Sequence, residues 1–123
     1  MEPIAQFVST LLNSRQQAHV FHWQTVGEGS FSTHKALNEY YDEIVEAVDG
    51  LVESYQGKYG IIKGYNLSFQ VREDNDPILY FQGLAQYVDN ARTKIPQDTY
   101  LQNQVDEIVN LIDSTRYKLQ NLR

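Results

Sequence analysis

The segment from Ser32 to Tyr59 most constrains the fold, because it has the pattern of one long amphipathic helix. Apolar residues recur in it three or four positions apart, the spacing that places side chains on one side of an α-helix. No proline interrupts the segment. The apolar stripe consists of Ile44, Val45, Val48, Leu51 and Val52. A helix of this length is long for a soluble domain, and it must bury its stripe against other helices.

Three further segments show the same periodicity. They run from about Pro3 to Thr25, from the Asp76-Pro77 pair to Pro96, and from about Gln97 to Leu122. Asp76 followed by Pro77 is typical of a capped helix start with proline in the first turn. The apolar positions are Ile4, Phe7, Val8, Leu11, Leu12 and Ala18 in the first segment, Phe81, Leu84, Val88, Ala91 and Ile95 in the third, and Leu101, Val105, Ile108, Ile112, Thr115, Leu119 and Leu122 in the last.

The connections between these segments predict the topology. The first helix stops before the loop at residues 27–30, and Ser32 or Thr33 is expected to cap the second, which ends near Gly57 and Gly60. Residues 60–75 form either a short strand or an extended crossover, and the crossover is favoured. About 15 extended residues can cross a full bundle at ~3.3 Å each. We therefore predict an all-α single domain over residues 1–123, an up-down-down-up four-helix bundle of the ferritin-like topology with a long crossover between helices 2 and 3.

Composition and charge narrow the function classes. The chain has 123 residues, of which 41% are hydrophobic, as expected for one globular domain with a modest core. A net charge of −6 argues against general affinity for nucleic acids or anionic membranes. The sequence contains no cysteine, so a metal would be bound by histidine and oxygen ligands, and a reducing cytoplasm is the expected setting. No apolar run reaches the ~18 residues of a membrane span.

Polar residues on the long second helix suggest a metal site shared between two chains. At ~100° per residue, His34, Asn38, Asp49 and Glu53 fall within about 100° of one another. His34 and Asp49 are nevertheless roughly 22 Å apart along the helix at ~1.5 Å per residue, far beyond the reach of one metal ion. A twofold axis near Asp42 would bring His34 of one chain opposite Asp49 and Glu53 of a second.

The sequence Phe21-His22-Trp23-Gln24, followed by Gly27, His34, Asp49 and Glu53, resembles the Dps-type mini-ferritins. In that family a histidine precedes a tryptophan at the end of the first helix, and a second histidine follows twelve residues later. An aspartate and a glutamate four residues apart lie further along the second helix. The resemblance is carried by residues 18–59, and the four-helix plan extends it over most of the chain.

The resemblance implies an iron-binding ferroxidase that stores iron and protects against oxidative damage. Such proteins form hollow shells, usually of twelve subunits, and oxidise Fe(II) with hydrogen peroxide or dioxygen at sites shared across twofold interfaces. One subunit would supply His22 and His34, and its partner Asp49 and Glu53, with Glu53 as the bridging ligand. One or two iron ions would occupy each site.

Two departures from the family pattern matter. Asn38 stands where the family has a further aspartate, and because an amide is a poorer ligand than a carboxylate, the metal position nearer His34 should be weakened. The basic tails by which some relatives bind DNA have no counterpart, so we do not expect DNA binding.

Two other functions remain open. An assembly or interaction protein could keep the bundle without turnover, and Asn38 favours that alternative. A di-metal oxidase with its site inside one bundle would need Glu-x-x-His pairs, and the sequence has none. His19 is expected to be a surface histidine. Trp23 is expected to pack at the dimer seam, in preference to the role of nearby electron donor that the resemblance implies, and most tyrosines are expected to serve packing. The acidic residues of the second helix either attract iron or form a solvated face; they are Glu39, Asp42, Glu43 and Glu46.

Overall fold

A computed structural model describes residues 2–122 and shows four helices packed together. The helices are α1 (Pro3–Gln24), α2 (Ser30–Tyr59), α3 (Pro77–Ala91) and α4 (Thr99–Asn121), with a short 3-10 turn at Arg92–Lys94. No strand occurs between residues 2 and 122. The prediction of an all-helical bundle of four helices is confirmed. None of the described helices combines the length and apolar composition that a membrane crossing requires.

Helix α1 packs in antiparallel fashion against both α2 and α3. Near its middle, Ser14 Oγ lies 2.7 Å from the hydroxyl oxygen of Tyr40 on α2, while His22 at its end contacts His34 near the start of α2. Aromatic contacts mark the pairing with α3. They are Phe21 with Tyr80, at 5.8 Å between ring centroids, and Phe7 with Tyr87, at 6.3 Å.

Helix α4 completes the bundle by packing against α2 and α3. Gln104 Nε2 donates to the carbonyl oxygen of Gly50 at 3.3 Å, and Lys118 Nζ donates to Glu39 at 2.8 Å, so α4 and α2 also run antiparallel. Arg92, just after α3, donates to Gln102 and Asp106 on α4.

The buried core confirms most of the predicted apolar stripes. Every predicted apolar position that lies in α4 is buried, whereas Leu122, which follows the helix, is 44% exposed. Leu12, Val45, Val52 and Ala91 are half-buried and pack against the core. The core also contains residues outside the predicted stripes, including Ala5, Phe21, Ala36, Leu37, Tyr40 and Ile62.

Two helix boundaries differ from those predicted. Helix α2 begins at Ser30 with Gly29 as its N-cap, so the prediction of a Ser32 or Thr33 cap was wrong. Gly29 has a φ of 78°, a left-handed conformation that suits glycine and lets the helix start earlier. Helix α3 ends at Ala91 rather than continuing to Ile95. Ile95 is extended with a φ of −106° because a residue before proline is disfavoured in helical geometry. The predicted cap at the start of α3 is confirmed, since the Asp76 side chain accepts a hydrogen bond from the Leu79 amide at 3.1 Å.

Residues 60–76 form neither strand nor helix, so the strand alternative is excluded. Buried side chains of α1 fix this connection. The amide of Asn66 donates to Ser9 Oγ at 2.9 Å, and further on Gln17 bonds both the N–H and the carbonyl of Arg72, at 2.7 and 3.0 Å. The connection therefore advances beside α1 from Ser9 towards Gln17, in the same direction as that helix.

Candidate functional site

The hairpin between α1 and α2 brings His22 and His34 into direct contact. Their imidazole rings are stacked, with centroids 3.5 Å apart and an angle of 29° between planes. His22 Nδ1 also lies 3.1 Å from the carbonyl oxygen of His34. A carbonyl can only accept, so this bond places the His22 proton on Nδ1 and leaves Nε2 free to bind a metal. We call these two residues the histidine pair.

Asp49 and Glu53 lie much further along α2, and both are exposed. They line an open groove of about 500 Å³ whose apolar walls include Val52, Tyr65 and Leu67. We call them the carboxylate pair. Fifteen residues at ~1.5 Å each separate His34 from Asp49 by roughly 22 Å. A single chain thus holds the histidine pair and the carboxylate pair apart, and within residues 2–122 no three His, Cys, Asp or Glu residues form a group that could hold a metal.

Asn38, one turn after His34, is held by two hydrogen bonds of its side-chain amide. Its Oδ1 accepts from the Tyr41 hydroxyl at 2.6 Å, and its Nδ2 donates to Asp42 at 3.2 Å. An amide oxygen is a weaker metal ligand than a carboxylate, and here it is already engaged. Position 38 therefore supplies no carboxylate beside the histidine pair.

The sequence predicted that His19 lies on the open surface. The structure instead shows it half-buried within an aromatic cluster. Its ring centroid is 4.1 Å from that of Trp23 and 4.4 Å from that of Tyr41, and it meets His22 edge-on at 6.0 Å. Burial lowers the pKa of His19, and the neighbouring His22 and Arg15 lower it further, against the opposite effect of Asp42. The position of His19 one turn before His22 on α1 indicated from sequence that the two are neighbours. Its contact with Tyr41 could not be predicted, because it depends on how α2 packs against α1.

The acidic residues of α2 do not all form a solvated face. Glu39 is paired with Lys118 of α4 at 2.8 Å, and that hydrogen bond lowers the pKa of the Glu39 carboxyl.

Tyr40 is fully buried, and burial raises the pKa of its hydroxyl well above the ordinary value. Tyr40 therefore serves packing, as predicted for most of the tyrosines.

Comparison with protein-family models places the chain in a family. A model described as a family of unknown function (DUF5856) matches residues 22–119, which include both the histidine pair and the carboxylate pair. No curated protein matches the chain. No solved structure matches it either.

Proposed function

The chain belongs to DUF5856, and within this family of unknown function we propose that it is a cytoplasmic, iron-binding mini-ferritin. It would oxidise Fe(II) with hydrogen peroxide or dioxygen at sites shared between two subunits, for iron storage and protection from oxidative damage. The observation that carries the proposal is the stacked histidine pair, with the carboxylate pair exposed on α2 and its Asp49 roughly 22 Å from His34 along that helix.

A twofold dimer joins the two half-sites. An axis crossing α2 near Asp42 pairs each residue with one on an antiparallel copy, and position 34 falls opposite position 50. The histidine pair of each subunit then faces the carboxylate pair of the other, so that one dimer has two sites. In each site His22 and His34 supply nitrogen ligands, Asp49 supplies an oxygen ligand, and Glu53 bridges.

The helix contacts support the ferritin-like topology. Antiparallel packing of α1 with α2 and α3, and of α4 with α2, fits an up-down-down-up order in which α2 and α3 are parallel. Two parallel helices in sequence need a connection that returns along the bundle. The hydrogen bonds of Asn66 to Ser9 and of Arg72 to Gln17 are consistent with such a crossover.

The ligand types suit iron as a substrate that changes oxidation state. Imidazole binds Fe(II) well, while the carboxylates of Asp49 and Glu53 favour the harder Fe(III) product. Oxidation of two Fe(II) by one hydrogen peroxide consumes two protons and yields two Fe(III) and two water molecules. A closed shell of twelve subunits built from such dimers would hold the ferric product.

A second candidate is a catalytically weakened bundle that acts as an assembly or interaction protein. The hydrogen-bonded side chain of Asn38 favours it, because the site then has one carboxylate fewer than the mini-ferritin pattern. Such a protein would form the dimer without turning over iron.

Anaerobic addition of Fe(II) to metal-free protein, followed by hydrogen peroxide, distinguishes the two candidates. We expect ferric absorbance to rise quickly in the parent and in Glu107→Ala, which removes an exposed glutamate of α4. Glu53→Ala should lose this rapid phase while keeping the parent's assembly size. A parent no faster than buffer would refute the ferroxidase proposal and leave the assembly protein.

A further inference from the structure

Tyr41 of α2 connects the histidine pair to Asn38. His34, Asn38 and Tyr41 follow one another four and three residues apart, so they lie along one side of the helix. The Tyr41 hydroxyl donates to Asn38 Oδ1 at 2.6 Å. The Tyr41 ring also meets the His22 ring edge-on, with centroids 5.5 Å apart and an angle of 89° between planes. One side chain therefore contacts both a proposed iron ligand and the amide at position 38.

Hydrogen bonds hold the Asn38 amide at both of its polar ends. Side chains of a helix lean towards its N-terminus, so an unrestrained Asn38 side chain would lean back towards His34. In the structure its oxygen accepts the short bond from Tyr41, and its nitrogen donates to Asp42 at 3.2 Å. An amide oxygen that turns to a metal beside His34 gives up the bond from Tyr41. The Tyr41 hydroxyl thus competes with a metal for the same oxygen.

The ring of Tyr41 has a different role, because it packs against α1. It stacks on the His19 ring with centroids 4.4 Å apart, and the His19 ring lies 4.1 Å from that of Trp23. His22 meets the rings of both His19 and Tyr41 edge-on. Tyr41 and His19 are half-buried. These rings restrict the orientation of the His22 imidazole before a metal binds, which lowers the entropic cost of binding.

We infer that Tyr41 is a positioning residue of the proposed iron site, and that its two parts act on different metal positions. Its ring holds His22 in place for a first ion. Its hydroxyl restrains the Asn38 oxygen from binding a second ion. The inference rests on the proposed function, and it adds a cause within one chain for a site that binds a single Fe(II) ion tightly.

Tyr41→Phe removes the hydroxyl and keeps the ring. The probe is Co(II), which binds nitrogen and oxygen ligands as Fe(II) does and whose visible absorption responds to those ligands. We expect the first ion to bind as in the parent and the second to bind about tenfold more tightly, because one hydrogen bond no longer competes. Tyr87→Phe is the matched control, a half-buried tyrosine of α3 whose ring packs against Phe7. Equal affinity for the second ion in the parent and in Tyr41→Phe would overturn the inference.

The double variant Tyr41→Phe with Asn38→Ala identifies the ligand behind the gain. Without the amide, affinity for the second ion should return to the parent's value or below it. A gain that persists without the amide would contradict the role given to the Tyr41 hydroxyl. In metal-free Tyr41→Phe, the NMR signals of the Asn38 side-chain NH₂ group should also shift, because the same amide has lost a bond.

Tyr41→Leu removes the ring as well as the hydroxyl, and its effect on the first ion should differ from that of Tyr41→Phe. We expect affinity for the first Co(II) ion to fall about tenfold, as for loss of a side chain that orients a ligand. A purely structural role would not separate the two ions in this way. Circular dichroism checks that the variants stay folded, and Tyr41→Phe decides the inference if Tyr41→Leu does not fold. An unchanged first-ion affinity in folded Tyr41→Leu would refute the role of the ring.

The outcomes separate the inference from the proposed function. Tighter binding of the second Co(II) ion in Tyr41→Phe, with no iron oxidation by the parent, would support the role of Tyr41 and refute the ferroxidase. Iron oxidation by the parent, with unchanged Co(II) binding in both Tyr41 variants, would refute the role of Tyr41 and leave the ferroxidase standing. A parent that binds no Co(II) would refute both.

Discussion

The hydroxyl of Tyr41 donates a 2.6 Å hydrogen bond to the side-chain carbonyl of Asn38, three residues earlier on α2. The same amide donates to Asp42 through its nitrogen. Asn38 is therefore a linker between two side chains at the edge of the histidine pair. An aspartate in its place would keep the acceptor for Tyr41 but lose the donor to Asp42.

Asn38→Asp should strengthen metal binding beside the histidine pair. The new carboxylate supplies the charged oxygen ligand that an amide cannot replace. Under anaerobic titration calorimetry with Fe(II), we expect the parent to bind about one ion tightly per site and the variant to gain a second. The cost is repulsion between the introduced carboxylate and Asp42, of about 0.2–0.5 kcal/mol for like charges one turn apart.

Asn103→Asp is the control for Asn38→Asp, because Asn103 is exposed on α4 and its replacement adds the same charge elsewhere. It should leave the metal stoichiometry unchanged. If Asn38→Asp binds no more Fe(II) than the parent, then Asn38 does not border a metal position.

Reversing the charge of Lys35 should weaken self-association. Lys35→Glu would oppose Asp49 of the second copy, and like charges across an interface are unfavourable. We expect a clear rise in the dimer dissociation constant, measured by analytical ultracentrifugation at low salt, where screening is weak. The double variant Lys35→Glu with Asp49→Lys should restore association without restoring iron oxidation. Failure of this rescue would argue against the axis near Asp42.

The helices could be predicted from sequence because the spacing of their apolar residues indicates which side of each helix is buried. Val105, Ile108 and Ile112 are buried on one side of α4, as their three- and four-residue spacing predicts. The start of α2 could not be predicted in the same way. The start depends on the left-handed backbone of Gly29. Ser32 and Thr33, which follow it, are typical capping residues and therefore pointed to a later start.

The candidate site could be predicted only in part. His22 and His34 flank a short hairpin loop, and the structure brings them together. The contact of His19 with Tyr41 depends on the packing of α1 against α2, which periodicity does not specify. The pairing of the histidines with Asp49 and Glu53 stays a prediction, since it requires a second chain.

Gln17→Ala should destabilise the fold by about 2–3 kcal/mol, because it leaves the N–H and carbonyl of Arg72 without their partner in a partly buried setting. Urea unfolding followed by circular dichroism measures the loss. Exchange of the Arg72 amide hydrogen should also become faster. Gln16→Ala is the control, because Gln16 is exposed on the same helix and its removal should change the free energy of unfolding by less than about 0.5 kcal/mol. Equal losses in the two variants would mean that Gln17 does not anchor the connection.

Asp98 should make the stability of the bundle depend on pH in the acid range. Hydrogen bonds from Lys58 and Tyr59 at the end of α2 lower the pKa of the Asp98 carboxyl. A carboxyl with a lowered folded-state pKa stabilises the protein above its unfolded value, about 3.9, and this contribution is lost as pH falls through the folded value. Asp98→Asn should therefore be less stable than the parent at pH 7, and the difference should shrink towards pH 3 in urea unfolding. Asp89→Asn, an exposed change on α3, should show no such gap at either pH. A difference between parent and Asp98→Asn that stays constant from pH 7 to pH 3 would show that the charge of Asp98 does not join α2 to α4.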